Sequence, residues 1–264
     1  MRHIGLTVVH VSEPPAVWSA APIPAVIYQR HDEEVRKAVA DAIKIAEDSV
    51  QEGNLPEIDS ELLRAAPVPT LIDLSKDAYM MVVGCRGQDA LQRTLLGSVS
   101  TGLIHHAHCP VAVIHDEAPI LLGPSQLPVL VGIDGSPASE LATAIAFDEA
   151  TRRNVGLVAL HAWSDLDESE WPGVDWPATQ SIAEEVLAER LAGWQEQYPD
   201  VEVIRTVVQA QPARRLVEES KGAQLVVVGS RGRGGFAGML VGSVGETVAQ
   251  MAPVPVIVAR EALA

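Results

Sequence analysis

Basic residues are scarce in this chain. Its 19 Lys and Arg stand against 35 Asp and Glu, a formal net charge of -16 over 264 residues. With no run of Lys and Arg long enough to form a basic patch, nucleic acid is not an expected partner. A free nucleotide stays open, because backbone N–H groups can hold phosphate without a lysine. Cysteine is almost absent. Cys85 and Cys109 are the only two, too few for a disulfide framework and suited to a reducing, cytoplasmic setting. No uncharged apolar run reaches about 18 residues, and no basic segment leads into an apolar one at the N-terminus, so no membrane partner is expected. The Gly-x-x-x-x-Gly-Lys-Ser/Thr signature of phosphate-loop proteins is missing too. No Gly-x-Gly-x-x-Gly follows the first strand, which disfavours a dinucleotide fold.

What the chain has is a repeat. Val82-Val83-Gly84-Cys85-Arg86-Gly87, nine residues, then Gly97-Ser98-Val99 returns as Val227-Val228-Gly229-Ser230-Arg231-Gly232, nine residues, then Gly242-Ser243-Val244. The register holds through Pro110-Val111 and Pro255-Val256. A repeat this long means two similar domains and not a solenoid. Two domains of roughly 130 residues suit the length, and 47% hydrophobic residues can fill two cores. We place the first at residues 1–117, a Pro-rich linker at 118–127 and the second at 128–264.

In the second copy, Val129 to Ile133 reads as a strand buried on both faces. Asp134-Gly135 turns the chain. Ser136 is an N-cap, Pro137 suits the first helical position, and Arg152-Arg153-Asn154 ends the helix. Strands follow at Val155–Ala162, Val201–Val208, Leu225–Val228 and Val256–Ala259. Between them lie a long helix with Leu187, Leu191, Trp194 and Tyr198 on one face, a short helix at Pro212–Ser220, and a helix from Ser243. This βαβαβαβαβ order means a parallel sheet with helices on both faces. The first copy shows the same plan from its second strand onward: Gly5–Val11, a helix from about Asp32 to Glu52, Ile58–Leu63, a short helix from Thr70, Met80–Val83 and Val111–Ile114.

A glycine loop between a parallel strand and a helix start is an anion site. Open N–H groups and the helix dipole face the ligand, and glycine lets backbone approach phosphate closely. Gly229 and Gly232 would form the loop. Gly242, Ser243 and Val244 would close on the phosphates, with Arg231 and Arg233 adding positive charge. The plainer alternative is that these glycines only turn the chain, but two copies at identical spacing argue against it.

The pattern Gly-x2-Gly-x9-Gly-Ser/Thr after the fourth strand resembles the ATP-binding motif of the universal stress protein family, in its tandem mycobacterial and actinobacterial form. The resemblance covers nearly the whole chain. It implies two five-stranded parallel sheets in the order 3-2-1-4-5, with ATP at the carboxyl ends of strands one and four. By that resemblance Asp134 contacts ribose or adenine, the Gly132 backbone lies beside the base, Ala162 offers backbone groups to adenine, and Asp165 reaches the sugar. The loop from Val228 through Gly229, Ser230, Arg231, Gly232, Arg233 and Gly234 holds phosphate. In the first copy Val11, Gly84, Arg86, Gly87, Gly97, Ser98 and Val99 match. Asp134 with Asp165 would hold Mg²⁺ beside the phosphates. The family also implies pairing of Val111–Ile114 with Val256–Ala259 in an intramolecular pseudo-dimer, further assembly as a homodimer, and an unidentified regulatory protein partner.

Met1 falls inside the repeat, so the first copy has no counterpart of Val129–Ser136. That strand would be central, and a whole ladder of unpaired backbone groups exceeds a net stability of about 5–15 kcal/mol. The expectation is a natural start roughly 25 residues earlier, a strand supplied by another chain, or a damaged first domain.

Other clusters read less sharply. His105, His106, His108 and Cys109 could ligate metal, but their place at a helix end suits capping, and no second ligand pair has zinc spacing. Cys85 reads as an inert small residue in its loop. Trp163, Trp171, Trp176 and Trp194 could form a partner surface, but packing of the second domain's long loop is the expectation. No nucleophile–base pair stands out, so no catalytic residue is assigned and any ATP hydrolysis is expected to be slow. The expected function is ATP-dependent regulation. The alternatives are a slow ATPase or adenine-nucleotide hydrolase, and an interaction module without nucleotide. Hydrolases of related folds carry Ser-Gly-Gly-x-Asp-Ser after strand one, which Asp134-Gly135-Ser136-Pro137-Ala138-Ser139 matches poorly.

Overall fold

A computed structural model describes residues 5–13, 25–49, 56–85, 96–115, 125–162, 176–232 and 242–260. The chain divides into two compact units, Met1–Leu71 and Ile72–Ala264. The first is one βαβ unit. Strand β1 (Leu6–Ser12) leads to helix α1 (Ala25–Asp48) and strand β2 (Ile58–Arg64), which pairs parallel to β1 from Leu6↔Ile58 to Ser12↔Arg64. Helix α1 starts earlier than the expected Asp32, because Ala25 to His31 contains no breaker. Helix α2 (Pro67–Leu74) runs across the division between the units.

The second unit holds a seven-stranded sheet. Its elements are β3 (Met81–Gly84), α3 (Ser98–His106), β4 (Val111–Ile114), β5 (Val129–Gly132), α4 (Pro137–Arg153), β6 (Leu157–Ala162), α5 (Trp176–Gln197), β7 (Val203–Val208), α6 (Pro212–Glu219), a 3-10 turn at Ser220–Gly222, β8 (Leu225–Gly229), α7 (Ser243–Met251) and β9 (Val256–Ala259). The strand order is β3-β4-β9-β8-β5-β6-β7. Five of these strands, β7-β6-β5-β8-β9, are the second copy in the order 3-2-1-4-5, all parallel. The four strands of the first copy are split. Its second and third strands form the separate β1–β2 pair, while its fourth and fifth, β3 and β4, join the larger sheet. Among the described residues no strand fills the central position of the first copy, so no ladder connects β1 to β3.

Strand β4 joins β9 antiparallel, as Val111↔Val258, Ala112↔Ile257 and Val113↔Val256. Ala112 and Ile257 are repeat counterparts, so a local two-fold axis passes through their pair. The residues just after the two strands obey the same symmetry. His115 Nε2 lies 2.9 Å from Ala249 O near the end of α7. Its counterpart Arg260 donates from Nε to Ala107 O at 2.8 Å and from its guanidinium to Ile104 O, at the end of α3. Burial, with the charge of Arg231 nearby, lowers the pKa of Arg260.

The core lies between the sheet and α4 and α5. Val129, Val131, Leu157, Leu191 and Phe147 are fully covered. Trp194 belongs to this core and not to the long loop: its ring stacks 6.0 Å from Phe147, and Tyr198 stacks 5.4 Å from the same ring. The reason is helical spacing, since Leu187, Leu191 and Trp194 recur on one face. Trp163 and Trp171 lie outside the described residues. Cys85 and Cys109 are both buried and free, and burial pushes the Cys109 thiol up. Among the described residues no helix is long and apolar enough to cross a membrane.

Candidate functional site

The turn after β5 is tied by its own side chains. Gly135 adopts φ 76°, a left-handed geometry that glycine takes without steric cost. Asp134 Oδ1 accepts the Ser136 N–H at 2.9 Å. Ser139 Oγ accepts the Gly135 N–H at 3.0 Å, and Ser136 Oγ accepts the Ser139 N–H at 3.2 Å. The turn is therefore rigid, and it presents Asp134 at the carboxyl edge of the sheet.

The glycine loop leaves the adjacent strand β8. Ser230 donates its N–H to Ala259 O at 2.8 Å, and its carbonyl accepts the Gly242 N–H at 2.7 Å, which closes the loop. Ser136 Oγ donates to Arg231 O at 3.0 Å and joins loop to turn. At two glycines here a side chain would collide, with backbone at Gly229 and with the Asp134 carboxylate at Gly232. A Cβ on Gly229 would lie 2.9 Å from the Ala138 carbonyl carbon, and one on Gly232 would lie 2.5 Å from Asp134 Oδ2. Gly242 then caps α7 with extended backbone and no side-chain hydrogen bond. The first N–H groups of α7, at Ser243, Val244 and Gly245, face outward as the orphan donors of a helix start.

These pieces enclose a cavity of about 410 Å³, within the usual range of small-molecule sites. Gly132, Asp134, Ala162, Val228, Gly229, Arg231, Gly232, Gly242, Ser243 and Val244, all singled out from sequence, line it. Ser230 is buried beneath the loop and is not part of the lining. Asp165, Arg233 and Gly234 lie outside the described residues. The sequence reading missed the apolar side. Ile133, Leu160, Pro212 and Leu216 form it, and His161 stands beside them with Nδ1 2.6 Å from Ile133 O. Pro212 and Leu216 come from α6, and only the crossover topology brings that helix to the end of β5. Ser139 was missed as well, because its hydroxyl accepts from the Gly135 N–H of the turn, a contact that no capping-box spacing announces.

The first copy reproduces the loop closure. Cys85 donates its N–H to Ile114 O and accepts the Gly97 N–H, both at 2.7 Å. Gly97 caps α3 without a side-chain bond, as Gly242 caps α7. Where the second copy has Gly245, however, Ser100 Oγ donates to Gly84 O at 2.6 Å. Gly84, Gly97, Ser98 and Val99 lie in the second unit and Val11 in the first. Arg86 and Gly87 lie outside the described residues. A smaller cavity of about 210 Å³ in the first unit is lined by His10, Ser12, Asp32, Arg36, Leu62 and Arg64 among others. The His105 and Glu246 side chains meet at 3.7 Å between the last turn of α3 and α7.

Comparison with known proteins gives a consistent picture. The model of the universal stress protein family matches residues 1–115 and again 127–260. Universal stress protein Rv2623 of Mycobacterium tuberculosis H37Rv is 62% identical over 264 residues, covering 100% of this chain and 89% of that protein. Universal stress protein Rv2005c of the same strain is 55% identical over 262 residues, covering 99% and 89%. Among solved structures, a universal stress protein from Archaeoglobus fulgidus DSM 4304 has the same fold, with a TM-score of 0.65 at 24% identity over 97% of this chain and 86% of that one.

Proposed function

The chain belongs to the universal stress protein family, and from that premise we propose that it binds ATP in the second-copy cavity and acts as a nucleotide-dependent regulator. The observation that carries this reading is the cradle between Gly232 and the start of α7. A Cβ on Gly232 would meet the Asp134 carboxylate, and the helix cap leaves the first N–H groups of α7 open. Such a combination suits a phosphate chain and gives little reason for any neutral ligand. Gly232, Ser243 and Val244 would donate to phosphate beside the Gly242 cap, with Arg231 adding charge. The apolar wall of Ile133, Leu160 and Leu216 would cover the base, and the Ala162 backbone would meet its polar edge.

Asp134 supplies the only carboxylate among the described lining residues. It would accept ribose hydroxyls, or stand near Mg²⁺ carried in by the phosphates. Occupancy would stiffen the loop and the α7 start, and so change the surface offered to a regulatory protein partner or to a second copy of the chain. The two buried thiols suit a cytoplasmic setting.

The test is to purify the protein, denature it and identify any released nucleotide by chromatography and mass spectrometry, alongside Gly232→Glu and Asp134→Ala. Near-stoichiometric ATP from the parent and none from either variant is the expected outcome. A parent protein that is empty and also fails to bind added ATP would overturn the reading.

A further inference from the structure

The nucleotide reading leaves one side chain of the turn without a role. Ser136 is 7% exposed, and its hydroxyl does two things. It accepts the Ser139 N–H, which caps α4. It also donates to Arg231 O across the gap to the glycine loop. Capping requires only the first bond. The second serves the loop.

We propose that Ser136 is a positioning residue for phosphate: by holding the Arg231 carbonyl it turns the Gly232 N–H toward the cavity. The inference rests on the nucleotide reading above. The peptide between Arg231 and Gly232 is trans, so its C=O and N–H point in opposite directions. With the carbonyl fixed on Ser136, the amide faces away from the turn. A Cβ on Gly242 would lie 3.6 Å from Gly232 N, so this amide sits on the side of the α7 start. It thereby joins the N–H groups of that helix around one anion position. Glycine on one side of a peptide makes rotation of that peptide easy. Without the Ser136 bond, both orientations compete and the donor is no longer fixed in advance.

The effect should therefore fall on phosphate and not on the base. The test is calorimetric titration of the full chain with adenosine, ADP and ATP, using the parent, Ser136→Gly and Ser136→Thr. Glycine keeps most of the capping preference but has no hydroxyl, and threonine keeps both. The expected result is about tenfold weaker ADP and ATP binding in Ser136→Gly, the scale of one hydrogen bond to a charged group, with adenosine unchanged. Threonine should restore the parent ratio. Equal loss for adenosine and ATP, or no loss for either, would make Ser136 a cap only and overturn the inference while the nucleotide reading stands. A parent protein that binds none of the three would overturn both.

A spectroscopic readout covers the case in which Ser136→Gly fails to fold. The Gly232 amide resonance of the parent should move when ADP is added and stay still with adenosine. A resonance indifferent to ADP would also overturn the inference.

Discussion

Close approach, residue by residue, separates the glycines that matter from those that do not. Gly229 lies under the start of α4, where a Cβ would meet three backbone atoms at 2.9 to 3.0 Å. Backbone cannot swing aside as a side chain can, so Gly229→Ala must push α4 off the sheet. We expect a loss of about 1–3 kcal/mol, the usual scale of overpacking. Gly193, inside α5, has nothing within 4 Å of its would-be Cβ. There alanine should add about 0.5–1 kcal/mol through helix propensity alone. Urea denaturation of the two variants checks both signs, and a stable Gly229→Ala would show the contact to be soft. The glycines of the site were legible because their spacing is written twice in the chain. Leu216 and Pro212 were not, because neither spacing nor periodicity says which helix passes over the end of β5.

Elements were most readable where their end signals were local. Helix α4 runs from Pro137 to Arg153 with Ser136 as cap, as its sequence predicts, and Asn154 closes it in left-handed geometry at φ 53°. Its N–H bonds back to Ala150 O and Thr151 O. Asparagine tolerates that geometry and alanine does not. Asn154→Ala should therefore cost about 1–2 kcal/mol, whereas Asn154→Gly should cost nothing, as thermal unfolding of the pair will show. If alanine and glycine behave alike, the left-handed end is not what terminates α4. Helix α1 was less readable, because Ala25 to His31 carry neither a cap signal nor a breaker. Trp194 looked like loop filling by composition, yet its spacing from Leu187 and Leu191 already placed it on the core face of α5.

Over the whole molecule, stability is unevenly shared between the two units. In the first unit Val39 is the only described residue that is buried, and the β1–β2 pair is two-stranded. Two strands alone are marginal in water. The second unit adds β3 and β4 to a complete five-stranded sheet through the antiparallel β4–β9 junction, and its central strands β5 and β8 are covered on both faces. The sequence repeat already left the first copy without a counterpart of Val129–Ser136, and hydrogen bonding divides that copy, with its central strand position unfilled among the described residues. Amide exchange should report this directly. Opening free energies run from near zero at weakly packed elements up to the global value of about 5–15 kcal/mol in a core. Peptides covering Leu6–Ser12 and Ile58–Arg64 should exchange early, while those covering Val111–Ile114, Val129–Gly132, Leu225–Gly229 and Val256–Ala259 stay protected until global unfolding. Protection of β4 at the level of β9 would mark the junction as part of one cooperative core. Early exchange of β4 together with β1 and β2 would instead mean that the first copy opens as a unit and that the junction is only an edge contact.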